Sequence, residues 1–272
     1  MPQYSVQDIR RLGYKSRNSW WGYFFLHPVA TRVLWVIANY TSLRPEVVCV
    51  MGLLIGFVAV PFFMLGTRDA LLVGALIAFV SNLFDAMDGK LARLKNQVTP
   101  FGGYLDSLSD VLKHTAYLLA LSAGQATQQN NPVWLMVGCG LSILFALKYT
   151  NENMLGRIRA FLPVPEAQAG SGGSEQPRKA ASGLMAWFDA FDARCARMSL
   201  RPAPCGVECI TLMFIVGPLM NQVMPCLILG GACVLLYALA HTAMTFQKTR
   251  CLTRGLQKDA LERQKVCQLV GG

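Results

Sequence analysis

The stretch PEVVCVMGLLIGFVAVPFFMLG, residues 45–66, constrains this chain more than any other. Its twenty-two residues, at ~1.5 Å each, suffice to cross a hydrocarbon core ~30 Å thick. Five more such segments follow. The second runs from near Ala70 to Lys95, the third from Pro100 to about Gly124, and the fourth over residues 133–150. The fifth and sixth occupy roughly 206–223 and 225–246, joined by a tight turn near Met224–Pro225. A composition 53% hydrophobic and only 15% charged fits this layout better than one or two soluble domains. The expected fold is an all-α integral membrane protein with six transmembrane helices and an N-terminal interfacial helix.

The flanking segments complete the plan. Residues 1–44 carry Arg10, Arg11, Lys15 and Arg17, then Trp20, Trp21, Tyr23, Phe24 and Phe25, a mixture suited to the headgroup layer. Val29–Tyr40 contains Arg32 and is short for a span, so it reads as an interfacial helix, with a first transmembrane helix as the alternative. The polar run Met1–Asn18 has no signal-peptide pattern. Residues 45–150 form the first four spans. Residues 151–205 hold the Pro/Gly/Ser-rich linker PVPEAQAGSGGSEQPRKAASG and an amphipathic surface helix over Leu184–Ser199, with Trp187 on its apolar face. Residues 206–246 form the last two spans, and 247–272 a basic tail.

Charge placement excludes some functions. A net charge of +10 would suit nucleic acid, but the bases flank the apolar spans in the positive-inside manner. Six spans put both termini, the turn within 85–110 and the 151–205 segment on one side, leaving Arg68 alone opposite. That side is the cytoplasmic face, and a bacterial plasma membrane is the expected setting. Nine cysteines with no CxxC read as packed thiols, and no internal repeat is visible.

Four aspartates occupy DAMDGKLARLKNQVTPFGGYLDSLSD, residues 85–110. Asp85 with Asp88, and Asp106 with Asp110, are spaced to share a helix face. The link from Lys95 to Pro100 reads as a turn, with Thr99 as N-cap and Pro100 at the first helical position. The two helices then run antiparallel and the acids face one another. Such carboxylates repel unless cations sit between them, and ionised groups in apolar spans are usually functional. A divalent-metal site with two ions follows, and oxygen-only ligands favour Mg²⁺ or Mn²⁺. Gly89, Ala92 and Gly102 leave room for a flat group, and Arg93 offers a planar fork for phosphate.

The pattern D-x2-D-G-x2-A-R-x8-G-x3-D-x3-D is filled by Asp85, Asp88, Gly89, Ala92, Arg93, Gly102, Asp106 and Asp110. Eight specified positions arise by chance on the order of 10⁻⁸ per chain at average residue usage. The pattern resembles the signature of the CDP-alcohol phosphatidyltransferases. The resemblance implies a homodimer that binds a CDP-activated substrate at the cytoplasmic end of a six-helix bundle, among membrane lipids. It further implies that Asp85, Asp88 and Asp106 hold metal, and that Asp110 contacts a metal and acts as general base on an alcohol. Arg93 would help hold the departing CMP, with Gly89, Ala92 and Gly102 beside the cytidine. One departure stands out. Members often carry Pro-Asn-x-x-Thr at the start of the first span, and here the residues are Pro45-Glu46-Val47-Val48-Cys49.

Two reactions fit the motif alike. CDP-diacylglycerol can give its phosphatidyl group to a small polar alcohol, the favoured reading, or a CDP-linked polar alcohol can give its head group to a lipid. Lys113, Lys148 and Arg157 are candidate acceptor contacts, against plainer readings as an ion pair and as positive-inside anchors. His114 and His241 read as satisfied interior histidines. A cation transporter or channel is the distant alternative. Its path should continue outward, yet the outer halves LLVGALIAF, AYLLALSAG and VWLMVGCG are nearly all apolar.

Overall fold

The apolar runs fold as helices because a helix satisfies its own backbone groups where no water reaches them. The computed structural model describes residues 4–14, 18–161, 194–195, 197–198 and 206–270, without the side chains of 156–161, 244, 247–248 and 251–270. Helix α1 covers Val6–Gly13, and a π-helical turn at Gly22–Leu26 runs into α2, His27–Tyr40. Then come α3 (Pro45–Leu65), α4 (Arg68–Leu94), α5 (Pro100–Gln128) and α6 (Val133–Phe161). Helix α7 spans Gly206–Leu219, with a π turn at Leu212–Val216, and α8 spans Val223–Val270. Among the described residues there is no strand.

Four segments are long and apolar enough to cross a membrane: Pro45–Leu65, Arg68–Leu94, Val133–Leu155 and Val223–Ala243. They mark a multi-pass membrane protein. The third and fifth expected spans are not among them, for different reasons. Helix α5 has the length, at 29 residues, but carries Asp106, Asp110, Lys113 and His114. Helix α7 is apolar but short.

Several boundaries differ from expectation. The last turn falls at Met220–Gln222, where Asn221 adopts left-handed backbone (φ 54°), rather than at Met224–Pro225. Asparagine tolerates that conformation, and Pro225 then lies in the first turn of α8, where its missing N–H costs little. Asp69 lies inside the first turn of α4 behind the N-cap Thr67. Its charge still complements the helix dipole. Helix α8 runs through the stretch expected to be a tail. The linker and most of Leu184–Ser199 lie outside the described residues.

Helix α3 packs on both α4 and α5, and α5 packs on α6. Gly66 closes α3 in left-handed backbone (φ 65°), and a Cβ there would stand 2.6 Å from the Gly124 carbonyl oxygen. Only glycine permits that contact. Two cores result. One is built around Phe63, Leu71, Tyr117, Leu121, Phe145 and Phe214. The other joins Ile9, Leu34, Val48, Met87 and Leu91. Helix α1 owes its start to a capping box, in which the Asp8 amide donates to Ser5 Oγ at 3.1 Å and the Ser5 amide to Asp8 Oδ2 at 2.9 Å. It docks through Ile9, which is fully buried and contributes about 1.5–3 kcal/mol. On α4, Ala78 belongs to the first core and Leu83 to the second. The aspartates follow directly after that junction.

Candidate active site

The α4–α5 hairpin forms as its residues dictate. Asn96 takes left-handed backbone (φ 54°), and its neighbour Gln97 donates its amide to the Ala92 carbonyl at 2.7 Å. Thr99 caps α5 by accepting the Gly102 amide at 2.9 Å, with Pro100 at the start of the helix. The two helices therefore bring all four aspartates together. Asp85, Asp106 and Asp110 each offer an oxygen within 4.8 Å of the others. Cys49 Sγ, Asp88 and Asp106 form a second set on the same measure, so Asp106 is common to both.

Electrostatics make this arrangement demanding. Two like charges 4.8 Å apart repel by about 3.5 kcal/mol at an effective dielectric of ~20. Among the described residues, a buried lysine answers them. Lys113 Nζ lies 3.0 Å from Asp85 Oδ1 and 3.4 Å from Asp110 Oδ1, with its side chain only 1% exposed. Four carboxylates and one ammonium (−4 + 1) leave a formal charge of −3. Asp88 accepts the Gly89 amide through Oδ1, while its buried Oδ2 has no hydrogen-bond partner. A crowded, oxygen-rich donor set with an orphaned carboxylate oxygen fits a divalent cation.

Asp110 is also held from α6. The Tyr149 hydroxyl, on α6, donates to Asp110 Oδ2 at 3.1 Å and lies 3.1 Å from His114 Nδ1. The His114 ring stacks between Tyr149 and Phe214, and its Nε2 is buried without a hydrogen-bond partner.

Two clefts adjoin the acids, one at Asp88 and Asp106 and the other at Asp85 and Asp110. The larger, about 300 Å³, is lined by Glu46, Cys49, Asp88, Gly89, Arg93 and Asp106, among others. Ala92 and Gly102 border it as well. The smaller, about 180 Å³, is lined by Ser19, His27, Asn82, Asp85, Asp110 and His114, among others. Burial, reinforced by the nearby Lys90 charge, pushes His27 down to about 3, so its imidazole is neutral at ordinary pH.

The expected contacts separate into groups. The aspartates and the small residues converge as the spacing predicts. Arg93 lines the larger cleft, but its Nε and Nη2 also donate to the Gly13 carbonyl at 2.9 and 2.6 Å, tying α1 to the signature helix. Lys113 and Lys148 line neither cleft. Lys148 is buried, 3.1 Å from Glu152, with Nζ 4.1 Å from the centre of the Tyr149 ring. The side chain of Arg157 lies outside the described residues. Sequence reasoning missed Tyr149, Ser19 and His27, for which no local signal exists. Cys49 had one, because it stands where the family pattern places threonine.

The sequence profile of the CDP-alcohol phosphatidyltransferase family matches residues 42–164. That segment, a little under half of the chain, contains all four aspartates, the whole of the larger cleft, and Tyr149. Archaetidylinositol phosphate synthase of Methanothermobacter thermautotrophicus is 31% identical over 100 residues, covering 37% of this chain and 50% of that protein. The protein of the same name from Pyrococcus horikoshii is 35% identical over 83 residues, 30% of this chain and 43% of that one. The matched part thus spans about half the length of these curated relatives. Among solved structures, Mycobacterium tuberculosis phosphatidylinositol phosphate synthase with CDP-DAG bound aligns at TM-score 0.46 and 18% identity, over 79% of this chain and 92% of that one.

Proposed function

We propose that the protein transfers a phosphatidyl group from CDP-diacylglycerol to a small polar alcohol, releasing CMP. The observation that carries this reading is the convergence of four aspartates beside two clefts, inside the segment that matches the CDP-alcohol phosphatidyltransferase profile. The larger cleft takes the cytidine and pyrophosphate, with Gly89, Ala92 and Gly102 beside the base and Arg93 near the phosphates. Asp85, Asp88, Asp106 and Asp110 would hold Mg²⁺ or Mn²⁺, two ions in all. When bound, such ions neutralise the carboxylates and the phosphate charge together.

Asp110 accepts the proton of the acceptor hydroxyl. The alcohol oxygen forms a bond to the phosphorus that carries the diacylglycerol, and the pyrophosphate P–O bond breaks. The electron pair leaves with CMP. Tyr149 fixes Asp110 through Oδ2, and Oδ1, 3.4 Å from Lys113 Nζ and without a hydrogen-bond partner, is left to take the proton.

The membrane arrangement is part of the proposal. Helices α5 and α7 complete a six-span bundle, α2 lies in the interface, and the site opens to the cytoplasm in a homodimer. The distribution of Lys and Arg supports that orientation. The test is CMP release from CDP-diacylglycerol by the purified protein with Mg²⁺ or Mn²⁺. Asp110→Asn should lower turnover by about 10³-fold, given the usual 10²–10⁴ contribution of a general base, while the protein still folds. Wild-type turnover by that variant removes the assigned base. CMP release only from CDP-choline-like donors reverses the direction of transfer.

A further inference from the structure

We propose that Cys49 turns the Asp88–Asp106 end of the site into a mixed sulfur–oxygen position for a thiophilic divalent ion of the Zn²⁺ class. Such an ion displaces Mg²⁺ or Mn²⁺ there and halts transfer. The block, though not the binding, rests on the transferase reading above. Cys49 Sγ and carboxylate oxygens of Asp88 and Asp106 all lie within 4.8 Å of one another. A tetrahedral ion bonded at ~2.0–2.3 Å holds its donors roughly 3.5 Å apart, so these three need to close by only about 1 Å.

Two observations besides the thiol point to a ligand here. Asp88 is 7% exposed and lines the larger cleft beside Cys49 and Asp106. Its Oδ1 already accepts the Gly89 amide, while the buried Oδ2 has no hydrogen-bond partner. An ionised oxygen left in that state is costly unless a cation meets it. The second observation is Ser109, 2% exposed, whose Oγ lies 3.5 Å from Cys49 Sγ. On binding the ion, the thiol gives its proton to solvent. The thiolate can then only accept, so the Ser109 hydroxyl donates to it and fixes the sulfur from the side away from the ion.

The two ends of the acidic cluster therefore differ in chemistry. Asp85, Asp106 and Asp110 offer oxygen alone, which suits Mg²⁺ and Mn²⁺, whereas the Cys49 set adds sulfur, which suits Zn²⁺. Coordination number explains the block. Mg²⁺ takes an octahedral shell, so three protein donors leave three positions for phosphate oxygens and water. Zn²⁺ favours four ligands, so the same three donors leave one position, facing the larger cleft that all three residues line. One position cannot grip both phosphates of a CDP group.

The experiment titrates the purified full chain with Cd²⁺, a spectroscopic stand-in for Zn²⁺, and follows the ultraviolet charge-transfer band of the Cd²⁺–thiolate bond. Cys49→Ser, which is close to isosteric, should weaken Cd²⁺ binding roughly tenfold or more, since even outer-shell partners of a metal are worth ~10–100-fold. Asp88→Asn keeps all nine thiols and should weaken it comparably, which separates this site from the other cysteines. Mn²⁺ affinity of Cys49→Ser, read by electron paramagnetic resonance, should change by less than about threefold, because a hard ion gains little from sulfur. With Mg²⁺ present, the Zn²⁺ concentration that halves each protein's own rate of CMP release should be roughly tenfold higher for Cys49→Ser. A Cd²⁺ band of unchanged strength and affinity in both variants, or equal losses of Cd²⁺ and Mn²⁺ affinity in Cys49→Ser, overturns the sulfur–oxygen position. Full CMP release with Zn²⁺ in place of Mg²⁺ overturns the block. CMP release with none of these ions overturns the transferase reading, and the Cd²⁺ band still decides the binding.

Discussion

The two clefts beside the aspartates differ in how their walls are assembled. Every residue lining the larger one lies between Pro45 and Asp106, within one continuous part of the family segment. The smaller one takes Asn82, Asp85, Asp110 and His114 from that segment, but Ser19, Gly22, Leu26 and His27 come from before it and Val207 and Ile210 from after it. The larger cleft is therefore coded as a motif, and the smaller as a meeting of distant stretches. A wall shared by many enzymes can be local in sequence. A wall that distinguishes one enzyme from another can be drawn from parts that vary independently.

The sharpest way to break this contrast is Asp106→Asn. Asp106 belongs to both candidate metal-binding sets, so turnover should fall by about 10³-fold or more whichever alcohol is offered. Binding of Mn²⁺, read by electron paramagnetic resonance, should weaken in parallel. A loss confined to one acceptor would mean that the clefts do not share a centre. Tyr149→Phe comes next. It keeps the ring and removes one hydrogen bond to a charged group, so kcat should drop by about 10–100-fold with both KM values little changed. If both KM values rise instead, the tyrosine acts through packing.

Gly89→Ala tests the larger cleft alone. A Cβ there would meet only Arg93 Nη1, at an ordinary 3.5 Å, so the fold has room and the helix gains up to about 1 kcal/mol of propensity. The expected result is a several-fold higher KM for CDP-diacylglycerol, an unchanged acceptor KM and no fall in Tm. The smallest effect belongs to His27. Its folded value is about 3 against an ordinary 6.5, so between those values the unfolded chain binds a proton that the folded chain does not. The stabilisation is whole above pH 6.5 and fades as pH falls toward 3. Wild-type Tm should thus decline between pH 7 and pH 5, and His27→Gln should flatten that slope. Asp8, held below its ordinary value mainly by its hydrogen bonds with Ser5, does not titrate in that window.

The hairpin was the most legible part of the chain. Carboxylates three and four residues apart on facing helices can only converge, and Thr99–Pro100 is a local start signal that the structure follows. The membrane count was less legible, since the chemistry of α5 competes with its hydropathy: the residues that make the site also make the helix polar. Arg93 exposes a different limit. Its fork has two fitting partners, a phosphate and a backbone carbonyl, and sequence pattern favoured the first because the second lies 80 positions away. Tyr149 and His27 were invisible for the same reason, since nothing near them in sequence reveals which aspartate or cleft they will face.

The Arg93–Gly13 tether also bears on how this chain can vary. Its acceptor is a main-chain oxygen, which any residue at position 13 would supply. Drift along α1 can rewrite the amphipathic surface without erasing the anchor, whereas replacing the single arginine removes it at once. The attachment of the N-terminal arm is thereby inherited with the signature itself.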